Sequence, residues 1–162
     1  MLVFGVLVGA SAIIAALLAR TEGDPADPTV GPVAPAEAVA VSVVDVVDGD
    51  TLHVETAGGE LLTVRLFGVD TPERGEACYA EATNRLRDLA DDTILLLPDV
   101  RLQDPGGREL RYVFTADGIS VDAALVHEGL AIAWRRDGAF RDQLVTLEDE
   151  AIADDVGCLW TG

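Results

Sequence analysis

Apolar positions divide the chain into three regimes. Residues 1–19, MLVFGVLVGASAIIAALLA, carry no charged side chain, and only Gly5, Gly9 and Ser11 fall outside the apolar set. As a helix rising 1.5 Å per residue, such a run reaches about 28 Å, close to the hydrocarbon thickness of a bilayer. The pattern predicts a transmembrane helix over 1–20 that acts as an uncleaved anchor. A cleaved signal segment is the competing reading; the run is longer than the usual apolar region and has no basic start. Residues 21–38, TEGDPADPTVGPVAPAEA, hold four of the seven prolines and four acids with no base. They predict a stiff, solvated linker.

From Val39 the pattern changes to short alternating or β-branched runs. VAVSVVDVV (39–47), TLHVET (51–56) and LLTVRLFGV (61–69) predict three strands, separated by Asp48-Gly49 and by the turn AGGE (57–60). TPERGEACY reads as a loop, because Pro72 disfavours helix at Thr71. Helical spacing through Ala82, Leu86 and Leu89 predicts a helix over 79–91. TILLLPDVRLQ (93–103) and ELRYVFT (109–115) predict two more strands around the turn DPGGR. SVDAALVHEG (120–129) opens on a serine cap and closes on Gly129, and a last helix is expected over about 140–154. Five short strands with about three helices predict a mainly β, α+β domain over 39–162. A five-stranded OB-fold barrel is the economical solution, since closure removes exposed edges.

Charge sharpens the picture. The chain has 29 Asp and Glu against 11 Arg and no Lys, a net charge of -18, and the domain from Val39 keeps ten Arg against 25 acids. That excludes a broad basic face for nucleic acid, which needs cations at many phosphates. It leaves room for a local pocket. The two cysteines, Cys78 and Cys158, stand 80 positions apart. They predict one long-loop disulfide and hence an extracytoplasmic side, with two separate buried thiols as the alternative. Localisation is expected at the cell membrane, single-pass with the domain outside, or secreted.

The candidate chemistry gathers on one rim. A hairpin centred between residues 58 and 59 would set Asp50 opposite Phe67 and bring Asp70 out at the same end. Two carboxylates with nothing to neutralise them suit a hard divalent cation with oxygen ligands, calcium or magnesium. From DGD alone, Asp48 and Asp50 read as turn residues. Arg65 sits mid-strand, where its fork suits a phosphate or a carboxylate such as Asp50 or Glu55. Glu73 follows the Thr71-Pro72 turn as a candidate general base, and Arg108 arrives from the DPGG turn.

In this order, Asp50, Arg65, Asp70, Thr71, Glu73 and Arg108 resemble the staphylococcal (micrococcal) nuclease family, or thermonucleases. The strings that carry it are VVDGDT (46–51), VRLFGVDTPE (64–73), DPGGREL (104–110) and ALVHEGLA (124–131). The resemblance implies an OB-fold, calcium-dependent phosphodiesterase of DNA and RNA that leaves 3′-phosphate ends. It implies Ca²⁺ held by Asp50, Asp70 and the Thr71 carbonyl, a phosphate clamped by Arg65 and Arg108, and water activated by Glu73. A basic loop and a Lys-Tyr pair that contact nucleotide in the type member are absent here; Arg74 and Pro105-Gly106 stand in those regions. Trp134 and Arg74 are the remaining substrate-binding candidates, Trp134 reading equally as a core residue. A monomer is expected. The alternative function is a non-catalytic OB-fold nucleic-acid-binding module tethered at the envelope. A third reading is an acidic scaffold for protein contacts.

Overall fold

The computed structural model describes residues 30–161. The expected membrane helix lies outside them, and among the described residues no helix is long and apolar enough to cross a membrane.

Strand β1 (Val39–Val46) pairs antiparallel with β2 (Thr51–Glu55), which pairs with β3 (Leu61–Leu66). Strands β5 (Thr93–Gln103) and β6 (Glu109–Thr115) form a second antiparallel hairpin. A parallel β3–β6 ladder and an antiparallel β1–β5 ladder then close a barrel in the order β1-β2-β3-β6-β5. The five-stranded barrel anticipated from the alternation is therefore present. Period-two patterning explains the inward faces: Leu52, Val54, Val64 and Leu66 are fully buried while His53 and Glu55 face out. Each such side chain contributes about 1.5–3 kcal/mol by leaving water.

Among the described residues four helices accompany the barrel, one more than expected for the domain. Helix α1 (Tyr79–Leu89) buries Ala82, Leu86 and Leu89. Helix α2 (Val121–His127) is capped by Ser120, whose hydroxyl accepts the Ala123 N–H at 3.1 Å, as its sequence predicted. Helix α3 (Arg141–Ala153) follows Phe140, whose ring packs 4.6 Å from Tyr112; Tyr112 in turn lies 5.0 Å from Phe67. The addition is α4 (Gly157–Trp160), too short for any periodicity to reveal. So is a two-residue ladder between β4 (Val69–Asp70) and β7 (Ile132–Ala133).

The register of the β2–β3 hairpin departs from expectation by one residue. Thr51 faces Arg65, and the Asp50 carbonyl accepts the Leu66 N–H at 2.8 Å, so Asp50 is not opposite Phe67. The cause is a three-residue loop, Ala57-Gly58-Gly59, in place of a two-residue turn. Thr56 N–H bonds the Glu60 carbonyl at 2.9 Å, and Gly59 takes the left-handed conformation with φ 82°.

The termini of the domain are tied down. Cys78 and Cys158 are disulfide-bonded, joining the start of α1 to α4. Beside this bridge, Gly129 and Gly157 cross backbone to backbone; a Cβ on either would run into the carbonyl of the residue before the other. Leu159 N–H bonds the Gly129 carbonyl at 3.0 Å. At the other end, Val33 bridges Ile119 and Ala34 N–H reaches the Gly118 carbonyl at 2.9 Å, so the end of the proline-rich stretch lies along the barrel.

Candidate active site

Asp50 is placed by a tight turn between β1 and β2. Its N–H donates to Asp48 Oδ1 at 3.2 Å, and Gly49 has no side chain to collide with Thr71. That close approach brings in Thr71, whose N–H and hydroxyl both donate to Asp50 Oδ2, at 3.1 and 3.2 Å. Asp50 Oδ1 accepts the Thr51 hydroxyl at 3.0 Å. Burial pushes the Asp50 carboxyl above its usual range even though the Arg65 guanidinium, followed by the Thr71 N–H, pulls the other way.

Arg65 links this carboxylate to the next. Its Nη2 stands 3.2 Å from Asp50 Oδ2 and also bonds Asp70 Oδ1, while Nη1 donates to the carbonyls of Leu66 and Val69 at 3.2 and 3.0 Å. The guanidinium thus braces the Phe67–Asp70 turn across which the two acids converge. Its Nε has no partner among the described residues. The carboxylate pairing weighed from the sequence is present, with Asp50 and Asp70 as partners rather than Glu55.

Arg108 immediately precedes β6 and is fixed by its own turn. Asp104 Oδ1 accepts the N–H groups of Gly106 and Arg108 at 2.9 Å each, and Asp104 Oδ2 accepts Arg108 Nε at 2.6 Å. Burial works against ionisation of Asp104, but these hydrogen bonds and the Arg108 charge hold its carboxyl below the usual range. Arg108 Nη1 donates to the Thr51 hydroxyl at 3.2 Å. Thr51 therefore connects Arg108 to Asp50 in one relay. Sequence reasoning passed over Thr51, whose only signal was its place directly after Asp50.

Arg65 and Arg108 line one open cleft of about 220 Å³ together with Arg101, Asp104, Phe67 and Trp134. Trp134 is half-buried there, not a core residue. Its position is fixed twice over: its N–H reaches the Gly68 carbonyl at 2.8 Å, and its indole N–H reaches Asp137 Oδ1 at 2.8 Å. Asp137 also accepts the Nε and Nη2 of Arg101, at 2.8 and 3.0 Å, and those bonds hold its carboxyl below the usual range. Arg101 lies 4.7 Å from the Phe67 ring centre and 5.1 Å from that of Trp134. Neither Arg101 nor Asp137 was singled out in the sequence, because nothing in local spacing joins β5 to the loop after β7.

Two expected residues stand apart from the cleft. Glu73 is exposed; its N–H bonds Glu76 Oε2 at 2.8 Å, and its own carboxylate has no partner among the described residues. Arg74 lies 5.8 Å over the Tyr79 ring.

Comparison with known proteins gives this arrangement its family. The staphylococcal nuclease homologue family matches residues 63–162. Protein ParB of Escherichia coli is 33% identical over 128 residues, covering 74% of this chain and 71% of that protein. A micrococcal nuclease of Shigella flexneri is 32% identical over 128 residues, 74% of this chain and 72% of its own. An uncharacterized protein of Methanocaldococcus jannaschii is 30% identical over 146 residues, with coverage of 73% and 70%.

The chain belongs to the staphylococcal nuclease family. For a staphylococcal nuclease homologue, its donor set is notable for what remains. Asp50, Asp70 and the Thr71 carbonyl offer oxygen only, and both cysteines are spent in the disulfide. No group of three or more His, Cys, Asp or Glu among the described residues is arranged to hold a metal. The fit to calcium therefore rests on two carboxylates and a carbonyl. The buried Asp50, destabilised as an anion, is the group that a bound cation would relieve.

Proposed function

We propose that the domain is a calcium-dependent phosphodiesterase that hydrolyses DNA or RNA at the bond to the 5′ oxygen, leaving 3′-phosphate ends. The observation that carries this reading is the pair Arg65 and Arg108 in one cleft, with Asp50 and Asp70 gathered on Arg65. Arg65 Nε and Arg108 Nη2 make no hydrogen bond to a described residue, so each fork keeps a donor for a phosphate oxygen.

In this scheme the scissile phosphate sits between the two guanidinia. Asp50, Asp70 and the Thr71 carbonyl would hold calcium, which would supply positive charge beside the phosphate. Glu73 accepts a proton from the attacking water as the new P–O bond forms and the P–O5′ bond breaks. The leaving 5′ oxygen departs as an alcohol on taking a proton from bulk water, and Glu73 returns its own proton to solvent. Arg65 and Arg108 meet the charge that builds on the equatorial oxygens, and because both are fixed beforehand this costs little reorganisation. Trp134 offers a stacking face to a base, and Arg74 a cation beside the Glu73 loop.

The disulfide supports an oxidising compartment, and with the apolar run at 1–19 it favours a domain tethered outside the cell membrane or secreted. Protease added to intact cells should remove the domain.

The deciding experiment is cleavage of single-stranded DNA, duplex DNA and RNA by the full chain with Ca²⁺ or with chelator, beside Glu73→Gln and Arg65→Ala. Loss of cleavage in both variants and with chelator is expected. Unchanged rates in both variants would sink the assignment, and oligonucleotide binding without any cleavage would make the domain a binding module.

A further inference from the structure

In a chain with 29 acids, a guanidinium without a carboxylate is unusual. Of the ten arginines among the described residues, seven are ion-paired. Arg87 donates to Asn84 on its own helix. Arg74 and Arg136 touch only aromatic rings, and Arg136 is the one whose ring lines the cleft: it lies 5.3 Å over Trp134.

The two arginines on Trp134 differ in how they are held. Arg101 is clamped along its Nε–Nη2 edge by both oxygens of Asp137, which also fixes the indole N–H, so Arg101 and the ring form one rigid, charge-compensated unit. Arg136 is exposed and makes no hydrogen bond or close ion pair with any described residue, its charge reaching Asp137 only as a minor influence beside Arg101. An exposed cation–ring contact is weaker than a charge-assisted hydrogen bond to a phosphate. Arg136 is therefore free to exchange the ring for an anion, whereas Arg101 is not. Exchange also uncovers part of an indole that Asp137 holds in place.

We propose that Arg136 is a second phosphate contact. It takes the phosphate next to the scissile one along the substrate strand, and the indole surface it leaves receives the base of that nucleotide. The inference rests on the nuclease reading above and adds to it a residue outside the Arg65–Arg108 pair. It also accounts for a substrate grip in a cleft where Pro105 and Gly106 offer no side-chain donor.

The test compares two substrates for the full chain and Arg136→Ala, with Arg141→Ala on α3 as the control for loss of an exposed cation. One substrate is a thymidine dinucleotide, whose single phosphate is the scissile one; the other is a thymidine octanucleotide. For the octanucleotide, Arg136→Ala should raise KM roughly 5- to 10-fold with kcat held, and Arg136→Lys should recover part of the loss. The dinucleotide should not distinguish the variant from the unmodified chain. Fluorescence anisotropy of a labelled octanucleotide, without turnover, should show a salt dependence shallower by about 0.7 in log Kd against log salt. Equal losses on both substrates, an unchanged octanucleotide KM, or an unchanged salt slope would overturn the role of Arg136 and leave the nuclease reading standing. Failure of the unmodified chain to cleave either substrate would overturn the nuclease reading, and the anisotropy slope would still decide on Arg136.

Discussion

Asp122 Oδ1 accepts the backbone N–H of Gly68 at 2.9 Å, across 54 residues of sequence, while its Oδ2 accepts the Val113 N–H at 3.0 Å. A fully buried carboxylate on α2 thus holds the turn that leads into Asp70. Burial raises its pKa to about 6, against the pull of those two backbone N–H groups. A carboxyl raised above its unfolded value binds a proton more readily when folded, so its contribution to stability grows as pH falls from above 6 towards 4. Relative to Asp122→Asn, the wild type should gain stability over that window, by up to about 3 kcal/mol. Urea denaturation of both proteins at pH 7.5 and pH 4.5 measures this; a relative loss on acidification would refute it.

Removing Arg65 should damage both stability and chemistry. Arg65→Ala leaves Asp50 buried without its cation, at a cost of about 3 kcal/mol near neutral pH. The penalty should shrink as pH falls, because burial already favours the protonated form of the Asp50 carboxyl. Turnover should fall at least ~10²-fold, the usual cost of one preorganised donor. A variant as stable as wild type at pH 7.5 would show that the ion pair contributes nothing.

Calcium should stabilise the folded chain through Asp50. A rise in melting temperature on adding Ca²⁺, reversed by chelator, is expected for wild type and absent in Asp50→Asn, since a ligand that binds only the native state shifts the equilibrium by mass action. Differential scanning fluorimetry reads this without reference to catalysis. An undiminished shift in Asp50→Asn would place the cation elsewhere.

The disulfide closes a loop between residues 80 positions apart. Loop-closure entropy sets its contribution at about 4.5 kcal/mol, reduced by whatever structure the unfolded chain keeps. Cys78→Ser with Cys158→Ser should therefore lower the denaturation midpoint substantially. A midpoint that does not move would mean that the packing of α4 suffices alone.

Gly129→Ala and Gly157→Ala should each cost about 3 kcal/mol or more. Both residues have positive φ, 63° and 72°, and both face backbone where a methyl would need to sit. Gly75→Ala is the contrast: it also has positive φ, 96°, but open space around it, so only the conformational part of the cost remains.

Much of this architecture is written in local pattern. The five barrel strands are legible as short apolar runs, with period-two burial clear in β2 and at the start of β5, the serine cap and Gly129 bracket α2, and Asp50, Arg65, Asp70 and Arg108 come to one side of the barrel. What escaped has a common cause. The Asp104–Arg108 bonds, the Asp137 clamp on Arg101 and Trp134, and the hold of Asp122 on Gly68 join side chains to elements far away or to backbone, which periodicity does not encode. The β4–β7 ladder and α4 are too short to carry a period. The one-residue error in the hairpin arose because a Gly-Gly pair signals a turn without saying how many residues it contains.

That Gly-Gly loop is the part of the β2–β3 hairpin farthest along the strands from the Asp50–Arg65 pair, yet it governs the match between them. Strand side chains alternate faces, so losing or gaining one residue among Ala57, Gly58 and Gly59 would slide β3 by one position and send Arg65 to the opposite face of the barrel. An exposed surface loop is ordinarily where length variation is harmless. Here natural or engineered insertions should be tolerated only in pairs, because a one-residue slip that turns Arg65 away also turns Val64 and Leu66 out of the core, so the length of this tip governs the site and the barrel together.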